Sequence, residues 1–136
     1  MYLAQLKKKI RKVNKNLKIY DKIYEPINIE KHNLKKKFLF FCGIGNPHEF
    51  ESTLKKFKFR IKKKFIFPDH YNISNKTINN LKNLANKNKL LIITTEKDFL
   101  RLNKNQQKNI NFLKVRLKIK NINQLKKSLN KINEKN

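Results

Sequence analysis

Residues 38–50 read FLFFCGIGNPHEF, and the fold turns on how that stretch is parsed. Residues 38–42 are apolar without alternation, the pattern of a strand buried on both faces, as in a parallel sheet. Gly43 and Gly45 follow, the only two glycines of the chain. Asn46 then offers a capping side chain, Pro47 suits the first helical position and Glu49 the third, so a helix starts here and runs on through ESTLKKF. A strand passing through Gly-x-Gly into a helix can bring backbone close to a ligand, and the helix start offers N–H groups to an anion. The third glycine of a dinucleotide fingerprint is missing, and GxxxxGK[ST] occurs nowhere in the chain. A tight strand-to-helix turn is the simpler use of the two glycines.

Working outward, KFRIKKKFIF (58–67) reads as the next strand and PDHYNI (68–73) as a loop. Ser74 caps a helix with Ile78, Leu81 and Leu84 on one face. LLIITT (90–95) is a second buried strand. TEKDFLRL opens a short helix, with Thr95 and Asp98 spaced as a capping box. NFLKVRLKI (111–119) reads as one last strand, and 122–132 as an amphipathic helix striped by Ile122, Leu125, Leu129 and Ile132. Upstream, KHNLKKK (31–37) is a solvated loop. LKIYDKIYEPINI (17–29) suggests one or two short strands broken at Pro26. Residues 2–13 read as the tail of a helix, with Leu3, Leu6, Ile10 and Val13 at helical spacing. Strands alternating with helices predict an α/β domain with a small, mainly parallel sheet. Residues 1–30 form a helix tail and strand linker, and 31–136 an α/β lobe. No internal repeat is visible, and the Asn/Lys-rich tail beyond Ile132 reads as frayed.

The chain has 136 residues, enough for one modest core, with 35 Lys+Arg against 9 Asp+Glu and a net charge of +26. A nucleic-acid or anionic-membrane surface would give that charge, and so would drift toward Lys and Asn codons in an AT-rich genome. The lysines run through every segment, which favours drift, although the charge draws anionic lipid either way. The single cysteine, Cys42, sits in an apolar run and reads as a small buried hydrophobe in a reducing compartment. No apolar run approaches the roughly 20 residues of a spanning helix, and no signal-peptide pattern opens the chain.

Three loops can carry chemistry: residues 43–47, 68–71 and 94–98. Each follows an expected strand, so a parallel sheet would bring all three out at its carboxyl edge, where ligands bind. Asp69 and His70 share one loop; imidazole titrates near neutrality and suits a general base. Adjacent residues orient each other poorly, so a turn with an exposed histidine is the plainer reading. His32 and His48 are weaker candidates. Glu96 and Asp98 suit a helix start, whereas Lys97 does not, and it could reach a phosphate at the sheet edge. No His, Cys or carboxylate pair has metal-ligand spacing.

The order of the motifs is more specific than any one of them. FCGIGNPHEF, then FPDHY, then TTEKD resembles the C-terminal part of the tetraacyldisaccharide 4'-kinase (lipid A kinase) family, and KIYDKIYEPINI resembles the strand linker between that family's two lobes. The resemblance covers roughly residues 1–119. It implies a Rossmann-like second lobe of a P-loop kinase. It also implies transfer of phosphate from ATP, with Mg²⁺, to the 4'-hydroxyl of a tetraacyldisaccharide 1-phosphate lipid at the cytoplasmic face of the inner membrane. His70 matches the family's DH histidine, which pairs with a first-lobe carboxylate to activate the attacking hydroxyl. Asp69, Gly43, Gly45, Asn46, Glu96, Lys97 and Asp98 match motifs expected to line the cleft.

The P-loop, the magnesium-binding acids and the membrane-anchoring segment of the family's first lobe have no counterpart in this sequence. The chain is therefore expected to act only with a P-loop half in trans, and otherwise to be inactive or vestigial. The competing class is a small basic nucleic-acid-binding module, with Phe57, Phe59 and Phe65 among lysines, but no RNA- or DNA-binding signature is present.

Overall fold

The computed structural model describes residues 2–134. Its core is built around β2 (Lys37–Cys42), whose side chains alternate between two hydrophobic clusters. Leu39 and Phe41 pack on one face with Ile78, Leu81 and Ala85 of α3 (Asn75–Lys87). Phe38, Phe40 and Cys42 pack on the other with Phe50 and Leu54 of α2 (Pro47–Lys56). Burial on both sides is why the run lacks alternation.

Four parallel strands form the sheet in the order β3-β2-β4-β5, with β3 at Arg60–Ile66, β4 at Leu91–Thr95 and β5 at Ile110–Leu113. The chain runs from β2 through α2 to β3 on one side, then through α3 back past β2 to β4. The two helices therefore cover opposite faces, and the direction of winding reverses between β2 and β4. The carboxyl ends of those two strands are the crevice where an open α/β sheet binds ligands. Inside the sheet, the Thr94 hydroxyl, fully buried, donates to the Phe41 carbonyl at 2.7 Å. The α/β class with a parallel sheet between helices is thus the observed fold.

Local signals fix most boundaries. Asn46 accepts from the Glu49 N–H and caps α2, with Pro47 in its first turn. Ser74 accepts from the Thr77 N–H and caps α3. Both helices end in a Schellman motif: Phe59 N–H to Leu54 C=O with Lys58 N–H to Lys55 C=O, and Leu90 N–H to Ala85 C=O with Lys89 N–H to Asn86 C=O. The left-handed positions, Lys58 (φ 64°) and Lys89 (φ 53°), are where glycine is the usual residue. Lys58→Gly and Lys89→Gly should each raise stability by about 1 kcal/mol, read as a higher urea midpoint at unchanged slope.

Two sequence expectations need correction. Residues 111–119 are not one strand. β5 ends at Leu113, and β6 (Val115–Ile119) belongs to a separate two-stranded sheet with β1 (Lys22–Pro26). The buried Asn28 side chain causes the break. Its amide donates to the Phe112 carbonyl at 3.0 Å, and its oxygen accepts the Lys114 N–H at 2.9 Å. Lys114 C=O in turn accepts from Ile27 N–H, so the chain leaves the main sheet there. Residues 17–21 are not strand either.

The short α4 (Glu96–Arg101) was expected; α5 (Lys104–Gln107) was not, although Asn103 and Gln106 close a full capping box around it. The expected terminal helices are present as α1 (Tyr2–Val13) and α6 (Ile122–Asn133). Residues 135–136 of the expected frayed tail lie outside the described residues.

The chain divides into two compact units: residues up to Tyr24 with those from Leu117 onward, and Glu25–Arg116. Within the first, Lys7 pairs with Asp21 at 2.6 Å and the Tyr20 hydroxyl meets Ser128 Oγ at 3.0 Å. The second holds the parallel sheet. Among the described residues no helix is long and apolar enough to cross a membrane.

A buried histidine and a lysine-paired glutamate make this fold acid-sensitive. Burial of the His32 ring, edge-on to Phe59 at 5.5 Å, pulls its imidazole below the ordinary 6.5. Glu51, hydrogen-bonded to Lys55 at 2.8 Å and Lys64 at 3.1 Å, is held below its ordinary 4.5. A depressed folded-state pKa means that the unfolded chain binds the proton first. Stability should therefore fall as pH drops through 6.5 on account of His32, and fall again below 4.5 on account of Glu51. Urea midpoints across this range check it, and His32→Phe should flatten the upper limb.

Candidate functional site

The loops after β2, β3 and β4 meet at the carboxyl edge of the sheet. Gly43, buried, donates its N–H to Asp98 Oδ2 at 2.9 Å, across 55 residues of sequence. A Cβ on Gly43 would stand 3.3 Å from the Pro68 carbonyl and 3.6 Å from Asp98 Oδ1. One on Gly45 would meet Asp69 Oδ2 at 3.5 Å, an ordinary contact. Neither glycine has positive φ. Gly43 is thus used for close approach of the β3–α3 loop rather than for the turn itself.

Asp98 holds the edge together. It is 3% exposed, accepts from Gly43 N–H and from Thr95 Oγ1 (2.9 Å), and faces an Arg101 guanidinium nitrogen at 3.8 Å. The capping-box spacing of Thr95 and Asp98 is only half used as such. Thr95 Oγ1 does accept the Asp98 N–H at 3.1 Å, but the carboxylate turns to Gly43 and to the Thr95 hydroxyl. Arg101, which sequence reasoning passed over, also donates to the Tyr71 carbonyl at 3.3 Å and so joins the second and third loops.

Asp69 and His70 stand at the solvent side of this edge. His70 adopts left-handed backbone, φ 61°, and its N–H donates to Asp69 Oδ1 at 3.0 Å. Its Nε2 lies 3.7 Å from Asp69 Oδ2, beyond hydrogen-bond length, and its side chain is 75% exposed. Lys97 Nζ reaches Asp69 Oδ1 at 3.4 Å. The partial burial of Asp69 works to raise its pKa, but the Lys97 hydrogen bond, the His70 charge and the His70 N–H together hold it below the ordinary carboxylate value. Exposed pairs of this kind are weak, so the Lys97 ammonium can exchange Asp69 for another anion.

The structure therefore brings Gly43, Gly45, Asp69, His70, Lys97 and Asp98 together. It does not add Glu96 or Asn46 to that cluster. Glu96 pairs with Lys114 at 3.2 Å, and Asn46 is occupied as the α2 cap, its amide on Glu49 at 3.3 Å. Cys42 lies just below the edge; burial, with the Asp98 charge adding, pushes its thiol up to about 11. It is no nucleophile. Among the described residues no group of three or more His, Cys, Asp and Glu could hold a metal ion. Phe59 is buried, and Phe57 and Phe65 pack against the two clusters, so these aromatics offer no stacking platform for nucleic acid.

The chain is matched over residues 3–134 by the family model described as tetraacyldisaccharide-1-P 4'-kinase. It is 37% identical over 134 residues to the tetraacyldisaccharide 4'-kinase of Pelagibacter ubique, covering 98% of this chain and 43% of that protein. It is 43% identical over 94 residues to the tetraacyldisaccharide 4'-kinase of Rickettsia akari, covering 69% of this chain and 28% of that protein. A solved structure, "apo" form LpxK from Aquifex aeolicus in complex with ATP, is 20% identical with a TM-score of 0.49, over 90% of this chain and 40% of that one. The chain thus spans less than half the length of these relatives. On the match across nearly all of its own length, this chain belongs to the tetraacyldisaccharide 4'-kinase family.

Proposed function

We propose that this chain is the C-terminal, histidine-bearing part of a kinase that phosphorylates the 4'-hydroxyl of a tetraacyldisaccharide 1-phosphate in lipid A biosynthesis. The observation that carries the reading is the convergence of three separated motifs on the β2–β4 winding reversal. In phosphoryl transfer the protein mainly positions groups and neutralises charge, and one group takes the hydroxyl proton.

His70 fits that last role. Its imidazole is exposed at the edge, on a loop that Asp69 fixes through the His70 N–H. It accepts the proton of the attacking hydroxyl. Lys97 supplies a positive charge that leaves Asp69 for a phosphate oxygen. Gly43 permits the close packing of the second loop, and Asp98 fixes Gly43 against the start of α4. Glu96 and Asn46 hold the frame rather than the substrate. ATP supplies the phosphate. At this edge Asp98, Asp69 and Glu96 each face a basic side chain, and among the described residues no group of three or more His, Cys, Asp and Glu could hold a metal ion. The nucleotide's P-loop comes from the part of the family's length that this chain does not span. Without that part the chain is inactive.

The test is a chimera in which residues 3–134 replace the matching segment of the Pelagibacter ubique kinase. ATP-dependent phosphorylation of the lipid disaccharide is the expected result. A folded chimera that transfers no phosphate overturns the reading.

A further inference from the structure

Arg101 is one of four arginines, with Arg11, Arg60 and Arg116, among the 35 Lys and Arg of the chain. It stands in the last turn of α4, and its two terminal nitrogens face different loops. Nη1 lies 3.8 Å from Asp98 Oδ1, and Nη2 donates to the Tyr71 carbonyl at 3.3 Å, across 30 residues of sequence. Asp98 is itself fixed by the Gly43 N–H and the Thr95 hydroxyl. One guanidinium thus references the second loop to the first and third. Lysine, a point charge on one nitrogen, cannot make that planar two-point fork.

The residue that the fork holds is the neighbour of His70. At φ 61°, His70 is in a conformation that a residue with a Cβ leaves when its surroundings allow. Three hydrogen bonds oppose that relaxation. Asp69 Oδ1 accepts the His70 N–H, the Pro68 carbonyl accepts the Tyr71 N–H at 3.1 Å, and the Tyr71 carbonyl accepts from Arg101. They fix the peptide plane before His70 and the two after it. The Tyr71 ring also stacks on Phe67, 5.2 Å between centroids and 7° between planes. Phe67, Pro68 and Asp69 belong to the loop or its start and would move with it. Lys97 also reaches the loop from α4, but its pair with Asp69 is exposed, and in the account above Lys97 leaves Asp69 for a phosphate. Arg101 is then the hydrogen bond that ties the loop to α4.

The surroundings of Arg101 suit support rather than substrate binding. Both terminal nitrogens face acceptors of the chain itself. The gap beside it, lined by Tyr71, Asn72, Ile73, Asp98 and Leu102, measures about 50 Å³, room for about one or two waters.

We propose that Arg101 is a positioning residue for the proton transfer. By holding the Tyr71 carbonyl against the edge that Asp98 anchors, it keeps the His70 imidazole where the attacking hydroxyl arrives. The inference rests on the reading of His70 as the base. A displacement of about 1 Å at a reacting group lowers the rate on the order of 10²-fold.

The test uses the Pelagibacter ubique chimera. A folded chimera that transfers no phosphate removes the kinase reading and, with it, the role of Arg101. In an active chimera, Arg101→Lys and Arg101→Gln should each lower kcat by about 10- to 100-fold, with KM for the lipid and for ATP nearly unchanged. Arg60→Lys is the control. It alters another arginine-to-carbonyl bond, Arg60 Nη1 to Lys35 C=O at the amino end of β3, and should leave kcat as it was. In a His70→Ala background Arg101→Lys should lower kcat no further, because the group it positions is gone. A merely structural role would lower kcat alike in both backgrounds. Arg101→Lys keeps a charge beside Asp98, so it carries the test if the glutamine variant does not fold. Full kcat in a folded Arg101→Lys chimera overturns the proposal. So do losses that multiply with that of His70→Ala, and so does a KM for ATP raised about tenfold, since the guanidinium would then contact the nucleotide.

Discussion

His70→Ala in the chimeric kinase is expected to lower kcat by about 10²- to 10⁴-fold, with a much smaller change in KM. The size follows from the role. A positioned base acts on the proton in the transition state, so its loss falls on the chemical step rather than on binding. Position supports the assignment more than backbone strain does. His70 is left-handed, but so are Lys58, Lys89, Asn109 and Asn121, in a chain with two glycines. What separates His70 is its place on the loop beside Gly45 and Lys97, at the carboxyl edge of the parallel sheet. Two controls make the result specific. His70→Gln keeps a polar side chain and should be as inactive as alanine. His70→Gly relieves the backbone and should be more stable yet equally inactive. A loss of only a few-fold in kcat takes the imidazole out of the reaction.

The second large effect is on stability. Asp98→Ala should cost about 3 kcal/mol, because it leaves the buried Gly43 N–H without an acceptor and the Arg101 charge without its partner. For a chain of this size that is a fall of roughly 10 °C in Tm. Asp98→Asn, which keeps an oxygen for Gly43, should cost about half as much. Lys97→Ala breaks only an exposed pair with Asp69 and should cost under about 1 kcal/mol. If Asp98→Ala and Lys97→Ala melt alike, the carboxylate is not what joins the first and third loops.

The parts of this fold that were readable in the sequence are those set by neighbours along the chain. β2 announced itself by continuous apolar residues, α2 by Asn46 and Pro47, and α3 by Ser74. The family and the three loops were legible for the same reason, since each motif is short and contiguous. Strand order was not legible, because it depends on pairing between residues far apart, and with it went the winding reversal that marks the crevice. Asp98 shows the limit well. Its spacing from Thr95 suggested a local cap, whereas its carboxylate is taken by Gly43 from another strand's end. The break between β5 and β6 was hidden likewise. The alternation from 113 to 119 runs unbroken across the junction, and the residue that ends the first strand is Asn28, far upstream. The apolar stripes of α1 and α6 were read correctly as stripes, but periodicity cannot say what covers them.

The most direct test of the whole account is reconstitution from two separate pieces: this chain, and the segment of the Pelagibacter ubique kinase that it does not span. Each would be assayed alone and mixed, with ATP and the lipid disaccharide. The account predicts phosphate transfer only in the mixture, and its loss when this chain carries His70→Ala. Transfer by the other segment alone, or undiminished transfer with His70→Ala, would contradict it.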